Sequence, residues 1–220
     1  MTAILYGNGQ SRSFRCVWAL NEANIAFEYQ GIDKASFSDA FLKVSPHMKV
    51  PAFTVGDLHM SESAAIVNYA GNVSKHTSLI PSDVERRAQY DDICYFVMTE
   101  LEQPLWTIGK HRFALPEEYR HEVMFDTATF EFDKAQQALE FKLQGRDFAV
   151  GDEFSMSDVL LAHTFNWAER FKMSIKPNFW HIAIGCMQDR LVSKVCGRLV
   201  PRQPQTLAIG AQIGSFNSHS

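Results

Sequence analysis

The stretch from Lys49 to Ser63, Lys-Val-Pro-Ala-Phe-Thr-Val-Gly-Asp-Leu-His-Met-Ser-Glu-Ser, constrains the fold more than any other part of the chain. Ala52 to Val55 and Leu58 to Ser61 are short apolar runs joined by Gly56-Asp57. A glycine first in a two-residue connection supplies the positive φ of a hairpin turn, so the two runs read as antiparallel strands. Pro51 stands where a strand tolerates proline, at its start. A cis bond before it would turn the chain and leave the Val50 backbone outside the ladder, open to a ligand. Glu62 and Ser63 then lead into Ala64-Ala65-Ile66-Val67-Asn68-Tyr69, a helical run. Ser61 or Ser63 suits its cap and Glu62 its positive end. Such a helix start also collects carboxylates and phosphates.

Upstream, Ala3 to Tyr6 reads as a strand and Gly7 to Gln10 as a loop. A helix opens at Ser11, its N-cap, with Phe14, Val17 and Trp18 on one apolar face. Ala26 to Gln30 alternates and reads as a second strand, parallel to the first because a helix lies between them. A short helix is expected over Ser38 to Val44. The order βαβ-α-ββ-α is that of a thioredoxin-like domain, taken as residues 1–76. A polar stretch ending in Pro81 links it to residues 82–200, where only helical periods persist. Helices are expected over 83–108, broken at Pro104, and over 116–143, 156–170 and 179–198. Ser82 to Glu85 reads as a capping box, and Ser155 to Asp158 as a second, with Phe154 placed for a hydrophobic staple. Residues 201–220 form a tail rich in Gln, Gly, Ser and Asn.

The totals exclude several functions. The chain has 220 residues, 46% of them hydrophobic, and a formal charge of −4 without a long basic run, which argues against nucleic acid as a partner. Four scattered cysteines, no signal-peptide pattern and no apolar run near the ~20 residues of a membrane span point to a reducing, cytoplasmic setting. Gly7-x-Gly9 lacks the third glycine of a dinucleotide loop, and no histidine spacing supports a metal.

Val50-Pro51, the hairpin, Glu62-Ser63-x-Ala-Ile and the stretch from Phe148 to Asp158 together resemble the cytosolic glutathione transferases, across roughly residues 3–200. The resemblance implies an α/β thioredoxin-like domain, an all-α C-terminal domain and a homodimer. It implies that Val50 and Pro51 meet the cysteinyl part of glutathione and that Glu62 and Ser63 hold its γ-glutamyl end. Lys49 would meet the glycyl carboxylate. The run Ser11-Arg12-Ser13-Phe14-Arg15 is similar to bacterial and fungal transferases whose first helix opens Ser-Arg-x-x-Arg, which makes Ser11 the catalytic serine and Ser13 the reserve candidate.

Thioredoxin-like redox proteins carry cysteine at this helix start, where the N-terminus lowers a thiol pKa. Serine there points instead to a hydroxyl that donates to a bound thiolate, with glutathione as co-substrate and a small apolar electrophile as its target. Arg12 would add positive potential, and Cys16 reads as a packed thiol. Asp91, Asp92 or Glu100 would reach the γ-glutamyl amine across a dimer interface. Tyr95, Phe96, Trp106 and Phe113 are the aromatics available for an apolar pocket. Two rival expectations accompany this one: an isomerase of the maleylacetoacetate type, disfavoured because Arg12 replaces its cysteine, and a glutathione- or protein-binding relative without turnover.

Overall fold

In the computed structural model, residues 2–9, 11–32, 38–75 and 79–179 are described. Strand β1 (Ala3–Gly7), helix α1 (Ser13–Glu22) and strand β2 (Glu28–Gly31) form the parallel crossover that the sequence predicts. Helix α2 (Asp39–Val44) follows, with the Ser38 hydroxyl accepting from Phe41 N at its start. Strands β3 (Ala52–Val55) and β4 (Leu58–Met60) make the hairpin, and Gly56 takes the expected positive φ of 57°. The sheet runs β2-β1-β3-β4, with β3 antiparallel to β1 and to β4. Helix α3 (Ser63–Val73) closes this first domain.

The sheet is covered on both faces. Leu5 and Phe53, opposite each other on β1 and β3, join Trp18, Ile66 and Val67 in the main core. Ala52 and Tyr6 face the other way and pack with Phe41 of α2 and with Ile32. This alternation across the pleat is what places α1 and α3 on one side and α2 on the other.

The second domain is helical. Helix α4 (Val84–Phe96) continues through a π-helical turn, Val97–Leu101, into α5 (Glu102–Gly109). Pro104 therefore does not break the path. It is the third residue of α5, directly after the π-helical turn, and the helical backbone runs on past it. The cap of α4 is Asp83, accepting from Arg86 N at 2.9 Å, and not Ser82. Helix α6 spans Met124–Leu143, starting later than 116 because a 3₁₀ turn, Glu117–Tyr119, precedes it. Helix α7 (Met156–Arg170) is the hub: every residue from Met156 to Phe165 is buried. It packs on α1 and α3 from the first domain and on α4 and α5 from the second. Trp18 of α1 meets Phe154, just ahead of α7, with ring centroids 6.2 Å apart. The helix expected over 179–198, the tail 201–220 and part of the linker lie outside the described residues.

The box at Ser155 forms. Asp158 Oδ2 accepts from Ser155 N at 2.8 Å and from Ser155 Oγ at 3.0 Å, while Oδ1 accepts from Ala149 N at 2.7 Å. All of these groups are buried. Replacing Asp158 by alanine leaves two buried N–H groups unpaired at about 1–3 kcal/mol each. Asp158→Ala is expected to lower the stability by about 3 kcal/mol in urea unfolding.

Candidate functional site

Three backbone devices converge beside β1 and β3. The first is the Val50–Pro51 peptide bond, which is cis. Pairing between β1 and β3 ends at Tyr6 opposite Ala52, so Val50 lies beyond the ladder. The loop before it is built and not loose. Buried Ser45 donates its hydroxyl to Lys49 O at 2.7 Å and accepts from Lys49 N at 3.3 Å, leaving the Lys49 side chain exposed. His47 Nε2 and Ser61 Oγ, 2.9 Å apart, tie this loop to the end of β4.

The second device is the start of α3. Glu62 occupies the cap position with extended backbone, and its side chain makes no cap bond. Ser63 begins the helix and is 2% exposed, yet its Oγ has no hydrogen-bond partner. A buried hydroxyl left unpaired at a helix N-terminus, where backbone N–H groups are also free, is an anion-directed arrangement. Cys16 of α1 donates its thiol to Ser63 O at 3.6 Å and so joins this helix start to the next.

The third is the start of α1. The regular part of α1 begins at Ser13 with Arg12 already in helical backbone geometry, and Ser11 just before them makes a cap-type bond through its hydroxyl. Ser11 Oγ donates to Asn8 O at 2.7 Å, accepts from Ser13 N at 3.1 Å and lies 2.8 Å from Ser13 Oγ. Ser13 is fully enclosed and also accepts from Asn8 N at 3.2 Å. Gly7 makes this closeness possible, since a Cβ there would fall 2.7 Å from Ser13 Cβ and 2.9 Å from the Tyr29 hydroxyl. Ser11 is half-buried and lines a cleft of about 130 Å³ with Gly9, Phe14, His163, Asn166 and Arg170.

The far wall of that cleft is α7, and behind it lies a charge cluster that no local sequence signal shows. Glu102 of α5, 1% exposed, accepts from Arg12 Nε at 2.6 Å and pairs with Arg15 Nη2. Thr164 of α7 donates to the same carboxylate at 3.4 Å. Burial opposes ionisation of Glu102, but the charges of Arg15 and Arg12 outweigh it and hold its carboxyl below the usual range. The Arg12 guanidinium sits over the rings of Trp106, at 5.0 Å, and Trp167, at 4.8 Å. Arg15 is fully buried, donates to Met98 Sδ and has Nε without a partner. His163 is pushed down to about 3, first by burial and then by the Arg15 charge, so its ring is neutral. Its Nδ1 has no partner.

The other expectations meet mixed outcomes. Cys16 is buried and its thiol is pushed up to about 12 by burial, so it is inert packing as expected. Asp91 pairs with Arg87 and Asp92 with Lys142 within the chain. Tyr95 and Phe113 are exposed, and neither they nor Phe96 line the cleft beside Ser11. Trp106 reaches the site only through Arg12. A larger cleft of about 270 Å³ at the end of α6 shares none of these residues, and its Glu140 already pairs with Lys176 and Asn178. Among the described residues no group of three or more His, Cys, Asp or Glu is placed to hold a metal, and no helix is long and apolar enough to cross a membrane.

Family models match both halves of the chain: the N-terminal domain of glutathione S-transferases over residues 1–72 and their C-terminal domain over 100–183. The chain is similar to a glutathione S-transferase from Triticum aestivum, 31% identical over 179 residues, covering 78% of this chain and 81% of that one. It is similar to the maleylacetoacetate isomerase of Rattus norvegicus, 29% identical over 211 residues, covering 88% and 91%. In fold it resembles a glutathione transferase homolog from Lodderomyces elongisporus solved with two GSH per subunit. That match has a TM-score of 0.77 at 16% identity and covers 88% of this chain and 97% of that one.

The neutral His163 makes stability depend on pH. The unfolded chain protonates this histidine near its ordinary value of 6.5, the folded chain only near 3. Between the two the unfolded state binds more protons, so stability is full above pH 6.5 and falls as the pH drops, by at most about 1.4 kcal/mol per unit. From pH 6.5 to about 5 the parent is expected to lose about 2 kcal/mol more than His163→Phe, measured by urea unfolding.

Proposed function

The chain belongs to the glutathione transferase family, and from that premise we propose that it activates glutathione as a thiolate and transfers it to small apolar electrophiles. The observation that carries this is the buried, partnerless Ser63 Oγ at the start of α3, beside a Val50 backbone that the ladder leaves free. In this reading the γ-glutamyl carboxylate takes the Ser63 hydroxyl and the N–H groups of the helix start. Glu62 receives the γ-glutamyl amine. The cysteinyl backbone pairs with Val50 at Pro51, and Lys49, exposed at the loop edge, meets the glycyl carboxylate.

The sulfur then points at Ser11, for a physical reason. Ser13 is enclosed and its hydroxyl is committed to its neighbours, whereas Ser11 faces the cleft. The Ser11 hydroxyl would swing from Asn8 O to the sulfur while Ser13 N continues to hold its oxygen. Donation by Ser11 and the N-terminus of α1 both favour the anion, so the thiol proton leaves to solvent and the thiolate attacks the electrophile. One carbon–sulfur bond forms, and the leaving group departs with its electron pair. A homodimer acting in the cytoplasm completes the reading, with the glutathione-binding domain over residues 1–76, the helical domain over 82–200 and the tail over 201–220.

A second reading, glutathione-dependent isomerisation of the maleylacetoacetate type, is favoured by the rat relative, whose match covers most of both chains. Isomerisation returns glutathione unconsumed and conjugation consumes it, so thiol titration during turnover separates them. Binding measured by calorimetry without either reaction would favour a non-catalytic role, and absence of binding would remove all three.

Two substitutions are expected to divide the work. Ser11→Ala should lower kcat for a chlorinated nitrobenzene far more than it weakens glutathione binding; equal losses in both would overturn the role given to Ser11. Ser63→Ala should weaken glutathione binding about tenfold while leaving the unfolding midpoint unchanged or raised, because its hydroxyl has no protein partner to lose.

A further inference from the structure

The proposed chemistry needs a positive environment at the sulfur, and α1 supplies more than its N-terminus. The buried cluster behind the cleft holds two guanidiniums, Arg12 and Arg15, against the single carboxylate of Glu102. It therefore carries a net charge of +1; Arg15 and Glu102 are buried and the Arg12 side chain is 26% exposed, so water screens that charge only in part. No neighbouring anion cancels it: the Cys16 thiol, the nearby acid on α1, stays protonated, while His163 is neutral and Arg170 at the cleft rim is cationic. Arg15 Nε remains buried without a partner, so the cluster offers one N–H that no protein acceptor takes.

The cluster is also aimed. On α7, His163 and Asn166 line the cleft, while their neighbours Thr164 and Trp167 contact the Glu102–Arg12 pair. On α1, Arg12 follows Ser11 directly. Arg12 is not free to fold away: Glu102 fixes Nε, and the guanidinium lies against two neighbouring indole rings, 5.0 Å from Trp106 and 4.8 Å from Trp167.

We propose that Arg12 is a positioning residue whose charge, fixed by Glu102, Trp106 and Trp167 from the second domain, keeps the sulfur of bound glutathione anionic at Ser11. The inference rests on the function proposed above and adds to it a requirement that the two domains be docked. Arg15 shares the cluster but is buried beneath Arg12 and stays charged even though burial lowers its pKa. The net charge thus falls from +1 to zero when Arg12 alone is neutralised.

The test uses Arg12→Met, which keeps an apolar stem against the tryptophans and removes the charge, and Arg12→Lys, which keeps the charge and loses the planar fork. The measurements are kcat/KM against pH with a chlorinated nitrobenzene, and the ultraviolet absorbance of enzyme-bound glutathione thiolate against pH. Arg12→Met is expected to move both curves to higher pH by about one unit, so that activity falls about tenfold on the acid side and little on the alkaline side. Arg12→Lys is expected to keep the parent's curves. A loss in Arg12→Met that is equal at every pH indicates packing alone and overturns the inference. If Arg12→Met does not fold, a displaced thiolate curve in Arg12→Lys overturns it. Calorimetry of the parent with glutathione is run alongside. No binding by the parent defeats the proposed function and this inference together, whereas binding and turnover with undisplaced curves defeat only this inference.

Discussion

The buried carboxylate of Glu102 is the interaction on which the functional geometry depends. It sits at the start of α5, in the second domain, and holds two arginines from the first turns of α1, in the first domain. An ion pair in such a place contributes little net stability compared with apolar packing, because both charges give up their hydration. Its consequence is geometric. A buried charge must keep its partner, so the first turn of α1 cannot rotate or slide relative to α5 without stranding a guanidinium or a carboxylate. Ser11, one residue before Arg12, inherits that rigidity.

Around this clamp the site is assembled from backbone ends. The start of α1 presents Ser11, the start of α3 presents Ser63, and the turn at cis Pro51 presents the Val50 backbone. Each of these places leaves polar groups without a partner from regular secondary structure, which is why ligands bind there. Close packing sets the distances between them. Gly7 lets Ser13 approach β1, and the Cys16 thiol joins α1 to α3. Helix α7 then supplies the opposite wall, anchored at its own start by Asp158.

Much of the first domain was legible because its signals are local. The Gly56-Asp57 turn, the proline at the start of β3 and the apolar face of Phe14, Val17 and Trp18 each report a conformation through nearest neighbours. The box at Ser155–Asp158 is legible for the same reason. Errors arose where local rules compete. Asp83 outcompetes Ser82 for the cap of α4, and Pro104 is absorbed in a helical path that changes to π-helical bonding just before it. Helix α1 starts two residues later than Ser11 because that hydroxyl is turned toward Asn8 and Ser13. Tyr95, Phe96, Trp106 and Phe113 do not line the cleft beside Ser11, because helical spacing does not tell which face of a helix meets a distant neighbour.

The amino-acid order by itself determined the succession of elements, the hairpin, the helix starts that bear Ser11, Ser13 and Ser63, and the absence of a redox cysteine from the first turn. These depend on residues within a few positions of one another, and backbone preferences act over that range. Only the tertiary structure decided that Arg12 is caged instead of solvated, that Glu102 from ninety residues away holds it, and that His163, Asn166 and Arg170 face Ser11. Those pairings bring together side chains from helices far apart in the chain. Burial and charge select among such encounters only after the two domains have docked.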